Sequence, residues 1–382
     1  MKFNQIEKGA DRYVSGEVDR FDQKNEMFKR AMWDPAVVEI GERFYKGNTP
    51  PRNKPGYRLK DQSVVNAAWY LDNEFGVSGS GEIYAWAWNG KYVFPRVPEG
   101  CQVDDPDPVR LTGEVKKAAR FFGASMVGIG KLDRRWLYDS YYYYSRDGIK
   151  SGKIELPNEY QSAIVIGIEM DYDAIGTSPA HPSSATTGLA YSEMARVAAM
   201  VAQFIRGLGF RAIPSGNDTA CSIPIAIDAG FGELARNGLL ITPEFGPRVR
   251  LAKVFTDMPL VPDKPISFGV WDFCKICGKC AEHCPSKSIM FGEPSATPIN
   301  VSNRSGVLKW HINAESCLKW WAVNGTDCSN CIRVCPFNKP PGRLHDLVRW
   351  GIRKLPSLNR LYLWGDDLLK YGDKKDPENF WR

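Results

Sequence analysis

The sequence predicts an α+β protein, in which a mixed helix and strand body is followed by a small cysteine-rich module. Three observations lead to this fold class. Residues 163–170 are apolar except for Glu169, and such a stretch is typical of a buried strand. Residues 189–208 carry apolar side chains at helical spacing, which predicts an amphipathic helix. Eight of the ten cysteines lie in two runs near the C-terminus, which predicts a separate metal-binding unit.

The chain divides into four predicted units. Residues 1–110 are irregular and rich in Pro, Gly, Trp and Tyr, and they form an N-terminal unit. Residues 111–265 form the α/β core, and residues 266–340 form the cysteine-rich module. Residues 341–382 carry a helix and an aromatic end, and we expect this tail to pack on the core.

Within the core, helices and strands follow each other along the chain. The first elements are a helix at 111–122, a strand at 124–129, an aromatic run at 138–144 that we interpret as a loop wall, and the strand at 163–170. The helix at 189–208 ends at Gly209, and its apolar stripe consists of Met194, Val197, Val201, Phe204 and Leu208. The later elements are a strand at 210–214, a helix at 223–238, and a strand pair at 239–243 and 253–258.

The composition is that of an ordinary globular protein, with 43% hydrophobic and 25% charged residues. The net charge of +6 is spread over 382 residues and is too diffuse to indicate a nucleic-acid surface. No apolar run approaches the roughly 18 residues that span a bilayer. Residues 1–30 are polar and contain no signal peptide. We therefore expect either a cytosolic protein or a mature form whose leader has been removed.

The two cysteine runs follow the spacing of iron–sulfur proteins. The first run is C-x2-C-x2-C-x3-C-P, with a proline directly after its last cysteine. The second repeats C-x2-C-x3-C-P, and its first cysteine is displaced by ten intervening residues. Zinc sites and disulfides are the alternatives, but neither explains two matching runs with trailing prolines. The spacing therefore predicts a bacterial-ferredoxin-like module with two [4Fe–4S] clusters.

The same spacing predicts which cysteines share a cluster. A tight C-x2-C-x2-C loop wraps three corners of one cluster, and the fourth cysteine of the run binds the other cluster. The first cluster is therefore predicted to be bound by Cys274, Cys277, Cys280 and Cys335. The second is predicted to be bound by Cys284, Cys317, Cys328 and Cys331. Cys101 and Cys221 remain, and we expect each of them to be a buried, inert thiol.

The body in front of the module lacks the usual cofactor motifs. No G-x-G-x-x-G opens a helix after a strand, which argues against a Rossmann-type dinucleotide site. No D-x-H-x-x-G segment is present, which argues against a corrinoid held by a histidine. From composition and spacing alone, the chain is an iron–sulfur oxidoreductase with an unidentified second cofactor.

Four segments extend the interpretation. They are residues 187–194 (TGLAYSEM), 214–220 (PSGNDTA), 241–250 (ITPEFGPRVR) and 253–260 (KVFTDMPL). Together with the cysteine runs, they resemble the corrinoid- and iron–sulfur-dependent respiratory reductive dehalogenases, of the tetrachloroethene reductive dehalogenase type. The resemblance covers about residues 110–340. It implies a nitroreductase-like, cobalamin-binding α/β body with the ferredoxin-like module attached.

The resemblance also implies cofactors and a reaction. The corrinoid, of cobalamin or norpseudo-cobalamin type, is expected to bind base-off, with no histidine from the protein. Two [4Fe–4S] clusters relay electrons to it, and its Co(I) form drives removal of halide from an organohalide such as a chlorinated ethene. The enzyme would be the terminal reductase of organohalide respiration. The cofactor supplies the chemistry, and the protein supplies position and electrostatics.

Five site residues follow from matching this sequence to the family. Tyr191 is implied as the proton donor, Arg250 as the cation that steadies its phenolate and lowers its pKa, and Asn217 as its hydrogen-bonding partner. Thr187 and Trp321 match positions that line the pocket for cofactor and substrate. Without the resemblance, these residues would be assigned to core packing, ion pairs or a turn. Trp33, Phe44 and Tyr45 are further aromatic candidates that the sequence does not rank.

Two alternative functions and several partners stay open at this point. An epoxyqueuosine reductase, which modifies tRNA, shares the cofactors, but only 47 residues follow Cys335, too few for helical repeats. A plain electron carrier would not need so large a body. The resemblance implies an organohalide substrate, a small membrane-anchor protein, a quinol-linked or low-potential electron donor and no nucleic acid, and it allows a homodimer. It places the mature protein on the outer, periplasmic face of the cytoplasmic membrane, with the cytoplasm as the alternative.

Overall fold

The computed structural model describes residues 4–46, 49–75, 103–104, 106–145 and 148–382. Cys101 lies outside these residues. In chain order the helices are α1 Met27–Arg30, α2 Val38–Lys46, α3 Leu59–Ala68, α4 Tyr70–Phe75, α5 Pro108–Phe121, α6 Tyr172–Gly176, α7 His181–Gly207, α8 Ser222–Asp228, α9 Val270–Ile276, α10 Lys279–Glu282, α11 Ala314–Asn324, α12 Asn330–Arg333, α13 Arg343–Lys354 and α14 Asn359–Leu368. The strands are β1 Asn4–Gln5, β2 Met126–Lys131, β3 Ser140–Ser145, β4 Gly148–Lys153, β5 Ser162–Glu169, β6 Ala212–Ser215, β7 Glu233–Leu234, β8 Leu240–Ile241, β9 Val249–Thr256 and β10 Ile266–Ser267.

A four-stranded sheet forms the centre of the core, in the order β2-β5-β9-β6. Every neighbouring pair in it is antiparallel. Strand β5 is buried along nearly its whole length because both of its faces are covered, as its largely apolar sequence indicates. Strand β9 pairs with β5 on one side and with β6 on the other, so that Arg250 lies opposite Ile168 at one end of the sheet.

Helices cover both faces of this sheet. The long helix α7 packs with α5 on one face, where Met194, Val197 and Val201 are fully buried against the sheet. Helix α8 packs on the other face, in a second cluster that includes Phe231 and Phe255. Gly209 ends α7 in a left-handed conformation with φ of 90°, which glycine adopts without steric cost.

Several elements differ from those predicted. Helix α7 begins at His181 and not at 189, because its first turns consist of small residues that are buried on all sides and show no stripe. The aromatic run is strand β3, paired with β4, and not a loop wall, since aromatic residues such as its consecutive tyrosines favour β-strands. The predicted helix at 223–238 stops at Asp228, because Gly230 and Gly232 take positive φ angles.

The predicted pairing of segments 239–243 and 253–258 was also wrong. Strand β8 pairs with β7, and both belong to a small two-stranded sheet of their own. Strand β9, in contrast, belongs to the central sheet. The turn between β7 and β8 contains Gly238 with φ of 72°, a conformation that closes a short hairpin.

The cysteine-rich segment is fastened to the core by hydrogen bonds. Its short helices α10 and α12 carry Cys280 and Cys331 and pack on each other. The Arg236 guanidinium donates to the Cys274 carbonyl at 2.8 Å, and the Asn237 amide donates to the Cys331 carbonyl at 3.3 Å. Ser178, just before α7, bonds Asn330 at 2.9 Å. The module therefore lies directly against the helix that carries Tyr191.

Helices α13 and α14 close the C-terminal end. A buried carboxylate, Asp366 on α14, binds Lys279 at 2.5 Å and Lys339 at 2.7 Å; Lys279 lies within the first cysteine run and Lys339 just after the second. The tail thus packs against the cysteine module through this ion-pair triad. Among the helices that the structure describes, none combines the length and apolar character needed to cross a bilayer.

Candidate active site

Tyr191 lies in the third turn of α7, and three of the predicted residues surround it. The Asn217 side-chain amide donates a hydrogen bond to the Tyr191 hydroxyl at 2.7 Å. The Arg250 guanidinium carbon lies 5.2 Å from the centre of the Tyr191 ring. Arg250 also donates to the Thr187 hydroxyl at 3.4 Å. The structure therefore brings Tyr191, Asn217, Arg250 and Thr187 together, although they come from three separate elements.

Helix and strand geometry explain why these side chains lie close together. Thr187 and Tyr191 are four residues apart on α7, so their side chains lie on the same face of the helix. Arg250 is the second residue of β9, at the end of the strand that faces this part of α7. Its Nε is buried without a hydrogen-bond partner among the described residues. The charge is thus held close to the phenol in a poorly solvated place, where electrostatic effects are strong.

A buried lysine holds the loop that presents Asn217. Lys253 is fully buried on β9, and its ammonium donates to the Ser222 hydroxyl at 2.8 Å, to the Ala220 carbonyl at 3.3 Å and to the Gly216 carbonyl. Burial lowers the pKa of Lys253 to about 8. Because these acceptors lie on both sides of Asn217, the lysine fixes the loop between β6 and α8.

Trp69 is part of the site and was not predicted. Its ring stacks on Tyr191, with centroids 4.9 Å apart and planes 24° from parallel. The absence of a side chain at Gly188 leaves room for the Trp69 ring, since a Cβ added there would lie 2.4 Å from the Trp69 Cδ1 atom. The sequence offered one signal, a glycine inside an otherwise strong helix, which often marks a close approach.

Trp321 belongs to a different aromatic group. It packs against Phe28 and Phe44, with ring centres 5.8 Å and 6.4 Å away. Phe44 also contacts Tyr45, whose hydroxyl donates to the Phe28 carbonyl at 3.0 Å. Phe28 lies on the wall of the cavity that Tyr191 faces, so this group reaches the cavity through Phe28. Trp33 is partly exposed and donates to the Lys24 carbonyl.

The cavity has a volume of about 600 Å³, and three parts of the chain contribute residues to its wall. The N-terminal unit contributes Tyr13 and Phe28, the core contributes Tyr191 and Asn217, and the segment between the cysteine runs contributes residues near Arg304. Volumes of about 300–1,000 Å³ are usual for small-molecule and cofactor sites. The cavity is mostly apolar, and Tyr191 shares its wall with residues of the segment between the cysteine runs.

Cys221 lies on the same cavity wall and is half-buried, where a fully buried thiol was expected. It follows directly after the Asn217 loop and precedes α8. Its thiol acts electrostatically on Tyr138, Lys253 and Lys309. The residue is therefore part of the cavity surface and is open to reagents that enter the cavity.

The eight remaining cysteines divide into two groups by their electrostatic neighbours. The first group is Cys274, Cys277, Cys280 and Cys335. The second group is Cys284, Cys317, Cys328 and Cys331. Cys331 also interacts with Cys280 and Cys335, so the groups are adjacent. The structure thus brings together the same two sets that the spacing predicts, and their role as cluster ligands stays a prediction.

The donor set suits iron–sulfur clusters. All eight of these side chains are free thiols, and thiolates are the usual ligands of such clusters. Burial raises the pKa of Cys277 and Cys328 to about 11 and that of Cys317 and Cys335 to about 12, and for most of these thiols neighbouring cysteines add to this effect. Iron binding therefore has to displace protons from these thiols.

Cys284 differs from the others. Burial also disfavours its thiolate, but hydrogen bonds from Ser286 and Ser288 outweigh that effect and lower its pKa. The Ser288 backbone N–H points to the Cys284 sulfur at 3.3 Å. Hydrogen bonds of this kind stabilise a cluster-bound thiolate and tune its redox potential.

Comparison with known proteins identifies relatives of this chain. The 4Fe-4S dicluster domain family matches residues 273–339. The tetrachloroethene reductive dehalogenase of Sulfurospirillum multivorans is 38% identical, over 91% of this chain and 75% of the relative. That of Desulfitobacterium hafniense is 41% identical, over 69% of this chain and 54% of the relative. A solved reductive dehalogenase, described in connection with B12-dependent dehalogenation, has the same fold, with a TM-score of 0.72, 24% identity, and coverage of 97% of this chain and 49% of its own.

Proposed function

The chain belongs to the reductive dehalogenase family, and we propose that it removes halide reductively from an organohalide, such as a chlorinated ethene, with the help of a corrinoid. One observation carries this proposal: the Tyr191 hydroxyl, bonded to Asn217 at 2.7 Å, lies on the wall of a 600 Å³ cavity beside a cationic guanidinium. A phenol held in this way can deliver a proton to a carbon inside the cavity.

The residues present fit the implied cofactors. The two groups of four thiols would hold two [4Fe–4S] clusters. The cavity between core and module would hold the corrinoid, since it has a largely apolar wall, buried cations and no described histidine on its surface. When bound, these groups supply single electrons and the cobalt centre that breaks the carbon–halogen bond.

The protein's own residues handle the proton. Replacement of halogen by hydrogen consumes two electrons and one proton and releases halide, and Tyr191 provides the proton from its hydroxyl oxygen. The phenolate that remains accepts the hydrogen bond from Asn217. The charge of Arg250 stabilises that phenolate because the two groups are close and poorly hydrated. Thr187 accepts from Arg250 and orients it.

The proposed setting of this reaction is the outer face of the cytoplasmic membrane. There the chain would act as the terminal reductase of organohalide respiration, with a small anchor protein and a quinol-linked or low-potential donor. Family membership supports this setting. Treatment of intact host cells with a membrane-impermeant protease, followed by fractionation, tests this location. Activity released from intact cells by the protease would agree with the outer face of the membrane. Activity confined to the cytoplasm would contradict it.

Substitution of Tyr191 by phenylalanine tests the proposed chemistry. Protein purified anaerobically and reconstituted with cobalamin is assayed for halide release with a reduced dye and a chlorinated ethene. We expect Tyr191→Phe to lose roughly 100-fold or more of the rate, because positioned general acids contribute about that much. Tyr160→Phe is a matched control, since Tyr160 also has an arginine, Arg211, over its ring but lies outside the cavity lining.

The same preparation distinguishes the competing functions. Unchanged halide release in Tyr191→Phe would contradict the role of the phenol. Cobalt binding without halide release from any organohalide would favour the tRNA-modifying reductase. Iron without cobalt would favour an electron carrier.

A further inference from the structure

Two cationic side chains lie on the cavity wall formed by the segment between the cysteine runs. Arg304 and Lys309 both line the cavity that holds Tyr191. The Nε, Nη1 and Nη2 atoms of Arg304 are all buried, and none has a hydrogen-bond acceptor within the described ranges. The guanidinium lies 5.3 Å from the centre of the Trp136 ring, which is also on the wall. The arginine is therefore held in place by an aromatic surface and not by a carboxylate.

Lys309 shares this environment. Burial lowers the pKa of Lys309, and the Arg304 charge lowers it further, so the two cations are near enough to repel each other. The structure shows no ion pair for either side chain in the part of the chain that it describes. Two like charges in a poorly solvated place are unfavourable unless an anion lies between them.

Two carboxylates on the cavity wall, those of Asp218 and Glu26, accept hydrogen bonds from nearby backbone and hydroxyl groups. Asp218 accepts hydrogen bonds from the Gly216 backbone and the Thr219 hydroxyl within its own loop. The carboxylate of Glu26 accepts the backbone N–H of Phe28, and the charge of Lys29 acts on it. None of these hydrogen bonds involves Arg304 or Lys309. An anionic ligand in the cavity would balance the charge of this pair.

We propose that Arg304 and Lys309 bind the phosphodiester of the corrinoid's nucleotide tail. The inference rests on the proposed function. A complete corrinoid carries one phosphodiester between its ring and its lower base, and inside a poorly solvated cavity this negative charge would need cationic partners. A guanidinium binds phosphate oxygens bidentately, and a lysine adds a point charge. Trp136 keeps the guanidinium plane oriented by a cation–π contact.

If Arg304 and Lys309 bind the phosphodiester, they also determine which corrinoids the protein binds. Cobinamide has the same corrin ring and cobalt but lacks the phosphodiester and the lower base. The protein should therefore take up complete corrinoids in preference to cobinamide, and the preference should depend on the two cations. The catalytic group around Tyr191 would remain intact when either cation is replaced, because it lies on the core wall.

The test compares cobalamin and cobinamide as probes, with bound cobalt as the readout. Anaerobic titrations of the iron-loaded protein give the dissociation constant of each probe from its absorption spectrum, and cobalt retained after gel filtration gives the stoichiometry. We expect Arg304→Gln with Lys309→Met to weaken cobalamin binding by about 10- to 100-fold, as for lost charge-assisted hydrogen bonds, and to leave cobinamide binding unchanged.

Two further variants serve as controls. Arg135→Gln removes another arginine that contacts Trp136, at 5.7 Å, but Arg135 is paired with Asp11 and Asp133. Its affinities for both probes should match those of the wild type. Arg304→Lys keeps the charge and should retain most of the preference for cobalamin. Iron content and unfolding midpoint show whether each variant is folded.

Three outcomes would overturn the inference. Equal losses for cobalamin and cobinamide would mean that the two residues only shape the cavity. No loss for either probe would mean that the phosphodiester binds elsewhere. Failure of the wild type to bind either probe would remove the proposed function as well, which separates that failure from the first two.

Discussion

Gly188 is the position at which a single methyl group should disturb the candidate site without touching a reacting group. A Cβ built on Gly188 would lie 2.4 Å from Trp69 Cδ1, 2.6 Å from Nε1 and 2.7 Å from Cγ. Ordinary contact begins at 3.4 Å, so the indole ring has to retreat by about 1 Å or the helix has to shift. Because this ring is stacked on Tyr191, the displacement reaches the phenol directly.

Two magnitudes follow for Gly188→Ala. Overpacking of this kind costs about 1–3 kcal/mol in stability, against a helix-propensity gain of at most about 1 kcal/mol. The lost stack accounts for about 0.5–1.5 kcal/mol of the cost. The rate of halide release should fall by about 10- to 100-fold, since a misplacement of about 1 Å at a reacting group has effects of that size. Chemical denaturation and the reduced-dye assay measure the two quantities.

Gly207→Ala is the matched control on the same helix. A Cβ at Gly207 has no heavy atom within 4 Å among its surroundings, so this substitution should leave activity unchanged and stability equal or slightly higher. If Gly188→Ala released halide as fast as Gly207→Ala, the stack on Trp69 would not position Tyr191. If it lost stability but not activity, Trp69 would be a packing residue only.

Two further predictions concern buried charges. Asp366→Asn leaves Lys279 and Lys339 without their shared buried carboxylate, so it should lower the unfolding free energy by about 3–5 kcal/mol and cause loss of iron. Asp367→Asn is the control, since the Asp367 carboxylate is 61% exposed, and it should lower the unfolding free energy by under about 1 kcal/mol. Lys253 has a folded-state pKa of about 8, below its usual 10.5, so the unfolded state binds more protons between these values. The unfolding free energy should therefore rise by up to about 3 kcal/mol as pH rises from 8 to 10.5, and this contribution should be absent in Lys253→Met. Denaturant melts across this pH range, compared between wild type and variant, measure it, and an identical slope in both proteins would contradict the reading.

Local patterns predicted the elements with strong periodicity. The strand at 163–170 and the body of the helix at 189–208 appear as β5 and α7, since burial on two faces and a single apolar stripe leave clear signals. The first turns of α7 left no such signal, because Ser, Thr and Ala buried on every side look like a loop. Tyr191, which the sequence placed at the opening of the helix, is therefore well inside it.

Contacts between distant segments were harder to predict. The resemblance indicated Tyr191, Asn217 and Arg250, and the fold brings these side chains together. Trp69 and Lys253 were missed, because their roles depend on close approach and burial, which arise only when the chain is folded. A lysine in an apolar strand is the one local signal that could have pointed to Lys253, since such a lysine needs partners in the interior.

The cavity and the cysteine module depend on each other in this fold. The segment between the two cysteine runs supplies one cavity wall, and Arg236 ties this segment to the first run by donating to the carbonyls of Cys274, Met290 and Gly292. Loss of the clusters would therefore loosen the wall that carries Arg304 and Lys309. If the chain functions as proposed, we therefore expect the iron–sulfur module to form before the corrinoid site is complete.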